Sequence, residues 1–287
     1  VSGTALGLVL AAALCHAIWN IAAKRVRGDG YVFVWWYDVW SAIVWVPVGL
    51  VILARAGWPW SWGLLYAPLV SAVAHIAYQL FLQTGYDKAD LGVVYPVARG
   101  VGPLLTMAVA LLAFQERPGW LGVLGGLVII AGIVVVATGR GSAHRHRTAD
   151  GILWGGLTGA AIAAYTLWDD HAVTTLALLP VTYFAFGTLW QAVLMAPGLR
   201  RHREAGLVAV LRRYRWEVGI VAILSPFAYI LVLEAMRTTP VALVAPARES
   251  SIVVGSLLAW WLFKEPNPVR KLVGAAVVLS GIALIVA

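Results

Sequence analysis

The chain alternates between apolar runs long enough to cross a bilayer and short polar breaks, and that rhythm restricts its fold more than any single motif does. A spanning helix needs roughly 20 mainly apolar residues to cross about 30 Å of hydrocarbon. Read from break to break, such runs fall near 3–23, 32–54, 63–84, 91–114, 120–138, 151–171, 176–196, 216–236, 241–263 and 269–287. The breaks carry Gly, Pro and charge, as in KRVRGDG, QERPG, GRGSAHRHRTAD and KEPNP. The expected fold class is an all-α integral membrane protein with ten transmembrane helices. With 61% hydrophobic residues, 12% charged residues and a mean hydropathy of +0.85, the composition lies far outside the soluble globular range. The opening VSGTALGLVLAAALCHAIWN has no basic leader and no small-residue cleavage site, so it reads as a spanning helix rather than a signal peptide.

Charge placement predicts how the chain sits. The net charge of +8 includes no continuous basic face interleaved with aromatic residues, which argues against nucleic acid as a partner. The breaks after the first, third, fifth, seventh and ninth runs, counted with Arg270 and Lys271 at the start of the last run, hold 16 of the 21 Lys and Arg. By the positive-inside rule these breaks face the cytoplasm and both termini face outward, in a multi-pass protein of the inner or plasma membrane. The single cysteine, Cys15, lies inside an apolar run and has no partner for an intramolecular disulfide.

The second half repeats the first. Arg99 and Glu116 stand 17 positions apart, as do Arg248 and Glu265, and the two pairs are offset by 149 residues. The same offset relates Trp19 to Trp168, Asn20 to Asp169, Gly125 to Gly274 and Gly132 to Gly281. Pro96 and Pro246 are offset by 150, which places a one-residue deletion between the prolines and the arginines. The expected organisation is a first five-helix repeat over 1–140, a connecting loop over 141–150 and a second five-helix repeat over 151–287. An odd number of crossings per copy makes the repeats inverted, an architecture in which transporters build a midplane site between their halves.

These features together resemble the drug/metabolite transporter superfamily, in its ten-helix EamA-like branch. The residues that carry the resemblance are the duplicated fourth and fifth helices, with Pro96 and Pro246 near the start of each fourth, QERP and KEPNP at its end, and a Gly-rich fifth. LCHAIWNIAAKR further resembles EamA-like proteins that share a His-x-x-Trp-Asn first helix, some of them associated with phosphonate utilisation. The smaller four-helix relatives bind cation and proton through a glutamate in the first helix. This first helix has no acidic residue, so neither that coupling residue nor their cationic-drug substrates carry over.

Candidate site residues follow from polarity at depth. Arg99 lies near the middle of the fourth run and Arg248 is similarly deep in the ninth; charges there should face the bundle interior. Their planar donor forks suit carboxylate, phosphate or phosphonate groups, while the structural alternative is pairing with an internal carboxylate. Candidate counter-charges are Asp38, Glu249 and Asp169. Adjacent helical positions point about 100° apart, so a Glu249–Arg248 pair is not assumed. Asp38 is either a proton carrier or a structural acid. Asp169 and Asp170 read as solvated near a helix end, and Glu116 and Glu265 as interfacial structural residues. His16, Asn20 and Lys24 form one helical stripe, while His75, Tyr78 and Gln79 share a second face. Trp19, Trp35, Tyr95, Tyr165, Trp168, Tyr183 and Tyr229 are candidates for an aromatic lining. Trp58, Trp60 and Trp62 read instead as an interfacial belt, and Gly151, Gly155 and Gly159 as a close-packing surface.

The leading function is secondary active transport of a small polar metabolite, such as an amino acid or a related anionic or zwitterionic compound, by alternating access between the repeats. Its partners are that substrate, the lipid bilayer and a coupling proton or other ion. No phosphate loop, HExxH or GxSxG motif, or clustered His and Cys occurs, so no cofactor, metal or catalytic residue is expected. The alternative is a membrane-embedded enzyme or lipid-handling protein.

Overall fold

The computed structural model describes residues 2–28, 30–89, 91–137, 145–251, 253–254 and 268–286, and the regular elements among them are all helical. The first half contains α1 (Gly3–Lys24), α2 (Gly30–Arg55), α3 (Gly63–Lys88), α4 (Leu91–Leu112) and α5 (Trp120–Ala137). The second contains α6 (Arg145–Thr174), α7 (Pro180–Met195), a 3-10 segment (Ala196–Ala205), α8 (Leu207–Arg213), α9 (Arg215–Met236), α10 (Val241–Arg248) and α11 (Pro268–Val286). Four of these contain stretches long and apolar enough to cross a membrane, by length and composition: Gly3–Ala23, Gly30–Arg55, Gly63–Leu82 and Arg215–Met236. Shorter apolar helices run over Val97–Leu112, Trp120–Val135 and Leu272–Ile285.

Helix ends sit where local chemistry allows them. The Ser2 hydroxyl accepts from the Ala5 amide at 3.1 Å and caps α1. α7 begins at Pro180, whose fixed φ and missing N–H suit a first turn. α10 follows Pro240, which has no capping side chain; the Glu116 carboxylate supplies the cap from the loop after α4, accepting from the Val241 and Ala242 amides at 3.1 and 3.0 Å. A carboxylate there also favours the positive end of the helix dipole. Glu116 is thus a structural residue, while Glu265 lies outside the described residues.

Three departures from the sequence reading matter. α6 starts at Arg145 and continues to Thr174, carrying Asp169 and Asp170 well inside the helix. The break over 197–215 contains the 3-10 segment and α8, separated at Gly206, whose φ is 68°. The expected run over 241–263 is interrupted: α10 ends at Arg248, Glu249 and Ser250 form a turn, and helix resumes at Ser251. Its counterpart α4 runs unbroken through Arg99.

Lipid offers no hydrophobic drive for helix association, so close packing of small residues carries it. A Cβ on Gly125 lies 2.6 Å from the Gly281 carbonyl oxygen, and one on Gly132 lies 3.0 Å from that of Gly274. Gly125 is early in α5 and Gly281 late in α11, so the two helices cross antiparallel. Each glycine meets the repeat counterpart of the other, as a two-fold axis through the crossing requires. Other pairings obey the same exchange: α1 packs on α9 and its counterpart α6 packs on α3, while α2 meets α7 and α4 meets α10. Along α6, Gly151, Gly155 and Gly159 bring α4 so close that a Cβ on each lies 2.8 Å from Val93, Val97 and Val101, respectively. Trp58, Trp60 and Trp62 are exposed, as an interfacial belt requires.

Gly125→Ala and Gly281→Ala are expected to force the α5–α11 crossing apart at a cost of about 1–3 kcal/mol. Gly156→Ala, where a Cβ meets nothing within 4 Å, is expected to be neutral or slightly stabilising. Unfolding midpoints of the three variants in detergent check this; equal midpoints contradict the crossing.

Candidate functional site

The charged centre is built at the helix break. Glu249 is 1% exposed and both its oxygens are engaged: Oε2 accepts from Arg99 Nη1 at 2.9 Å, and Oε1 from Arg248 Nε at 3.3 Å and Nη2 at 3.2 Å. Arg99 comes from the first repeat, Arg248 and Glu249 from the second. The Arg248–Glu249 contact corrects the expectation from regular helix geometry. The Glu249 amide donates to Pro246 and the Ser250 amide to Ala247, three residues back, and this tighter turn lets both long side chains fold to one point. Two guanidiniums sharing one carboxylate leave the trio with a formal charge of +1.

In front of the arginines lies a cavity of about 120 Å³, room for several waters or a small metabolite. Ten residues singled out from sequence line it: His16, Trp19 and Asp38; His75, Tyr78 and Gln79; Arg99, Tyr165, Tyr229 and Arg248. Arg248 sits 5.8 Å from the ring centres of both Tyr165 and Tyr229, within cation–π range. The His75 ring stacks on Tyr165 at 4.0 Å, and its Nδ1 lies 3.0 Å from the Ser71 carbonyl oxygen. His16 and Tyr165 are related by the repeat offset and both reach the cavity, one from each half.

The remaining candidates go elsewhere. The Asn20 side chain donates to the His16 carbonyl on its own helix at 2.7 Å. The Trp168 indole donates to the Ala67 carbonyl at 2.9 Å and ties α6 to α3. Trp35 likewise ties α2 to α7 through the Ala192 carbonyl at 3.0 Å. The side chains of Tyr95 and Lys24 lie outside the described residues. Glu249 stands behind the arginines rather than in the cavity wall. Asp169 is not solvated: because α6 continues past it, it is fully buried, accepting from the Tyr183 and Tyr229 hydroxyls at 2.5 and 2.6 Å. Thr188, Gln191 and Ser225 also line the cavity. Each is a polar residue in an apolar run, a signal that was visible but shared with many hydroxyls that merely bond their own helix. Among the described residues no three His, Cys, Asp or Glu side chains converge as a metal site requires.

The EamA-like transporter family model matches this chain twice, over residues 3–138 and 149–287. The chain belongs to the EamA-like transporter family. It is a multi-pass membrane protein of the drug/metabolite transporter type, and the two matches correspond to its two repeats. A solved crystal structure shares the fold at a TM-score of 0.76 and 16% identity, over 99% of this chain and 96% of that one. No curated protein matches it by sequence.

Removing one partner of a buried ion pair strands a charge, at about 3–5 kcal/mol. Glu249→Gln is expected to lower stability by that order, and Arg99→Met/Glu249→Gln by less than the sum of the single changes. Denaturant unfolding of the four proteins closes the cycle, and strict additivity contradicts the shared carboxylate.

Proposed function

We propose that this EamA-like protein is a secondary transporter for an amino acid or a related anionic or zwitterionic metabolite. Ten segments cross the inner or plasma membrane as two inverted five-helix repeats, and the cavity between them opens to each side in turn.

One observation carries the substrate class. Four buried polar atoms without a hydrogen-bond partner belong to cavity-lining residues: the donors Trp19 Nε1 and Arg248 Nη1, and the acceptors Asp38 Oδ2 and Gln79 Oε1. Each such group costs about 1–3 kcal/mol, so a ligand that satisfies them gains what the empty site lacks. Donors beside a guanidinium suit a carboxylate, and a carboxylate with an amide oxygen suits an ammonium. A zwitterion carries both groups. Tyr165, Tyr229 and Phe184 supply an apolar wall for its side chain.

The repeats give Trp19 and Trp168 different work. Trp168 spends its donor on a neighbouring helix, whereas Trp19 keeps its own unpartnered beside the cavity. That asymmetry supports a binding role for Trp19, Arg248, Asp38 and Gln79, with Arg99 and Glu249 positioning Arg248.

A thermal-shift series with glycine, L-alanine, L-phenylalanine, methylphosphonate and cationic dyes tests this. The expected result is a shift with zwitterions that fades for their methyl esters and for their N-acetyl derivatives. Arg248→Gln is expected to weaken binding tenfold or more, and Asp38→Asn to weaken zwitterions but not N-acetyl amino acids. A shift with cationic dyes alone, unchanged in Arg248→Gln, overturns the assignment.

A further inference from the structure

Tyr229 lines the cavity, and its hydroxyl donates to Asp169, which does not line it. Tyr229 from α9 holds Oδ2 at 2.6 Å, and Tyr183 from α7 holds Oδ1 at 2.5 Å. Asp169 is fully buried, and no Lys or Arg among the described residues pairs with it. Its repeat counterpart Asn20 satisfies itself on its own helix, so the fold builds this position once without an acid. An intramembrane carboxylate without a paired cation among the described residues, one residue removed from the cavity wall, is in the kind of place where proton paths run.

We propose that Asp169 is the coupling-proton site of the transport cycle, separate from the substrate-binding arginine and linked to it through Tyr229. The assignment rests on the transporter reading above. A proton arriving from the cavity adds to Oδ2, converting carboxylate to carboxylic acid. The protonated oxygen becomes a donor, so the Tyr229 hydroxyl that donated to it must turn to accept or let go. The Tyr229 ring lies 5.8 Å from the Arg248 guanidinium, so its rearrangement reaches the group that meets substrate. Loss of the proton to the opposite side restores the carboxylate and both tyrosine hydrogen bonds. One proton enters and one leaves, with no other reactant.

The neighbours of this site come from several helices. His75 faces it from α3 beside Ser71, Tyr183 from α7, Tyr229 from α9 and Arg248 from α10 across the Tyr229 ring. On α6 itself stand Tyr165 and Asp170, the latter near Glu116. His75, Asp170 and Asp38, the proton carrier considered from sequence, are the titratable groups that compete for the assignment.

The test uses the full chain in proteoliposomes with L-alanine as probe, reading counterflow and pH-gradient-driven accumulation separately. Wild type is expected to show both. Asp169→Asn is expected to keep counterflow and to lose at least tenfold of the gradient-driven accumulation, while Asp170→Asn still responds to the gradient. Accumulation by Asp169→Asn at the wild-type level, or wild-type counterflow with no response to a gradient, overturns the proposal. If Asp169→Asn does not exchange, Asp169→Glu decides: gradient-driven accumulation with a shifted pH profile supports the site, and exchange without it overturns the site. Absence of wild-type counterflow for L-alanine and for every zwitterion in the thermal-shift series overturns the transporter reading itself, a different failure.

Discussion

Everything in the middle of this bundle depends on one carboxylate holding two guanidiniums. Arg99 and Arg248 occupy equivalent places in the two halves, so the pseudo-two-fold axis brings like charges together in apolar surroundings. Their repulsion is bearable only because Glu249 stands between them. That contact requires the helix to stop at Arg248, since an unbroken helix turns neighbouring side chains apart. The stop in turn requires α10 to start in register. Glu116 holds that start by capping the Val241 and Ala242 amides, and Pro246 weakens the helix just before the break. A residue after α4 therefore sets where a charge sits near the end of α10, and the halves are coupled at both ends of that short helix.

Symmetry builds the scaffold, and departures from symmetry supply the chemistry. The glycine crossing of α5 and α11 and the exchanged pairings of α1 with α9 and α6 with α3 follow the two-fold relation closely. At the centre the copies diverge. Glu249 corresponds to Gly100, Asp169 to Asn20, and Tyr165 to His16. A two-fold site made of identical halves cannot tell the two ends of an amino acid apart. The unpartnered donors of Trp19 and Arg248 and acceptors of Asp38 and Gln79 make the cavity asymmetric.

The helices were legible because apolar runs of spanning length have few alternatives in lipid, and because Pro, Gly and charge mark their ends. The cavity wall was legible for a related reason: a polar side chain at depth must turn inward, which brought ten candidates to one space. What the sequence hid was local. Regular helix geometry placed Glu249 away from Arg248, and only the turn at Ser250 reversed that. An end assigned near residue 171 left Asp169 solvated, whereas three further residues of helix, to Thr174, bury it against two tyrosines. Trp19 and Trp168 look alike in the repeat, and their different roles depend on whether a carbonyl such as that of Ala67 lies within reach.

On the proposed function, the charge chemistry that would attract a substrate would also limit how tightly it is held. A substrate carboxylate and the Glu249 carboxylate are equivalent ligands for Arg248, so the site contains an internal competitor, with Arg248 Nη1 left over. A ligand engaging that free donor need not displace Glu249 and gains one charge-assisted contact; a ligand taking more must loosen the pair between Arg248 and Glu249. The Arg99 contact uses the other carboxylate oxygen, Oε2, so neither case competes with it directly. On that reading, affinity would be capped by the strength of an internal ion pair. Transport requires such a cap, because cargo held by both arginines without competition would have no reason to leave.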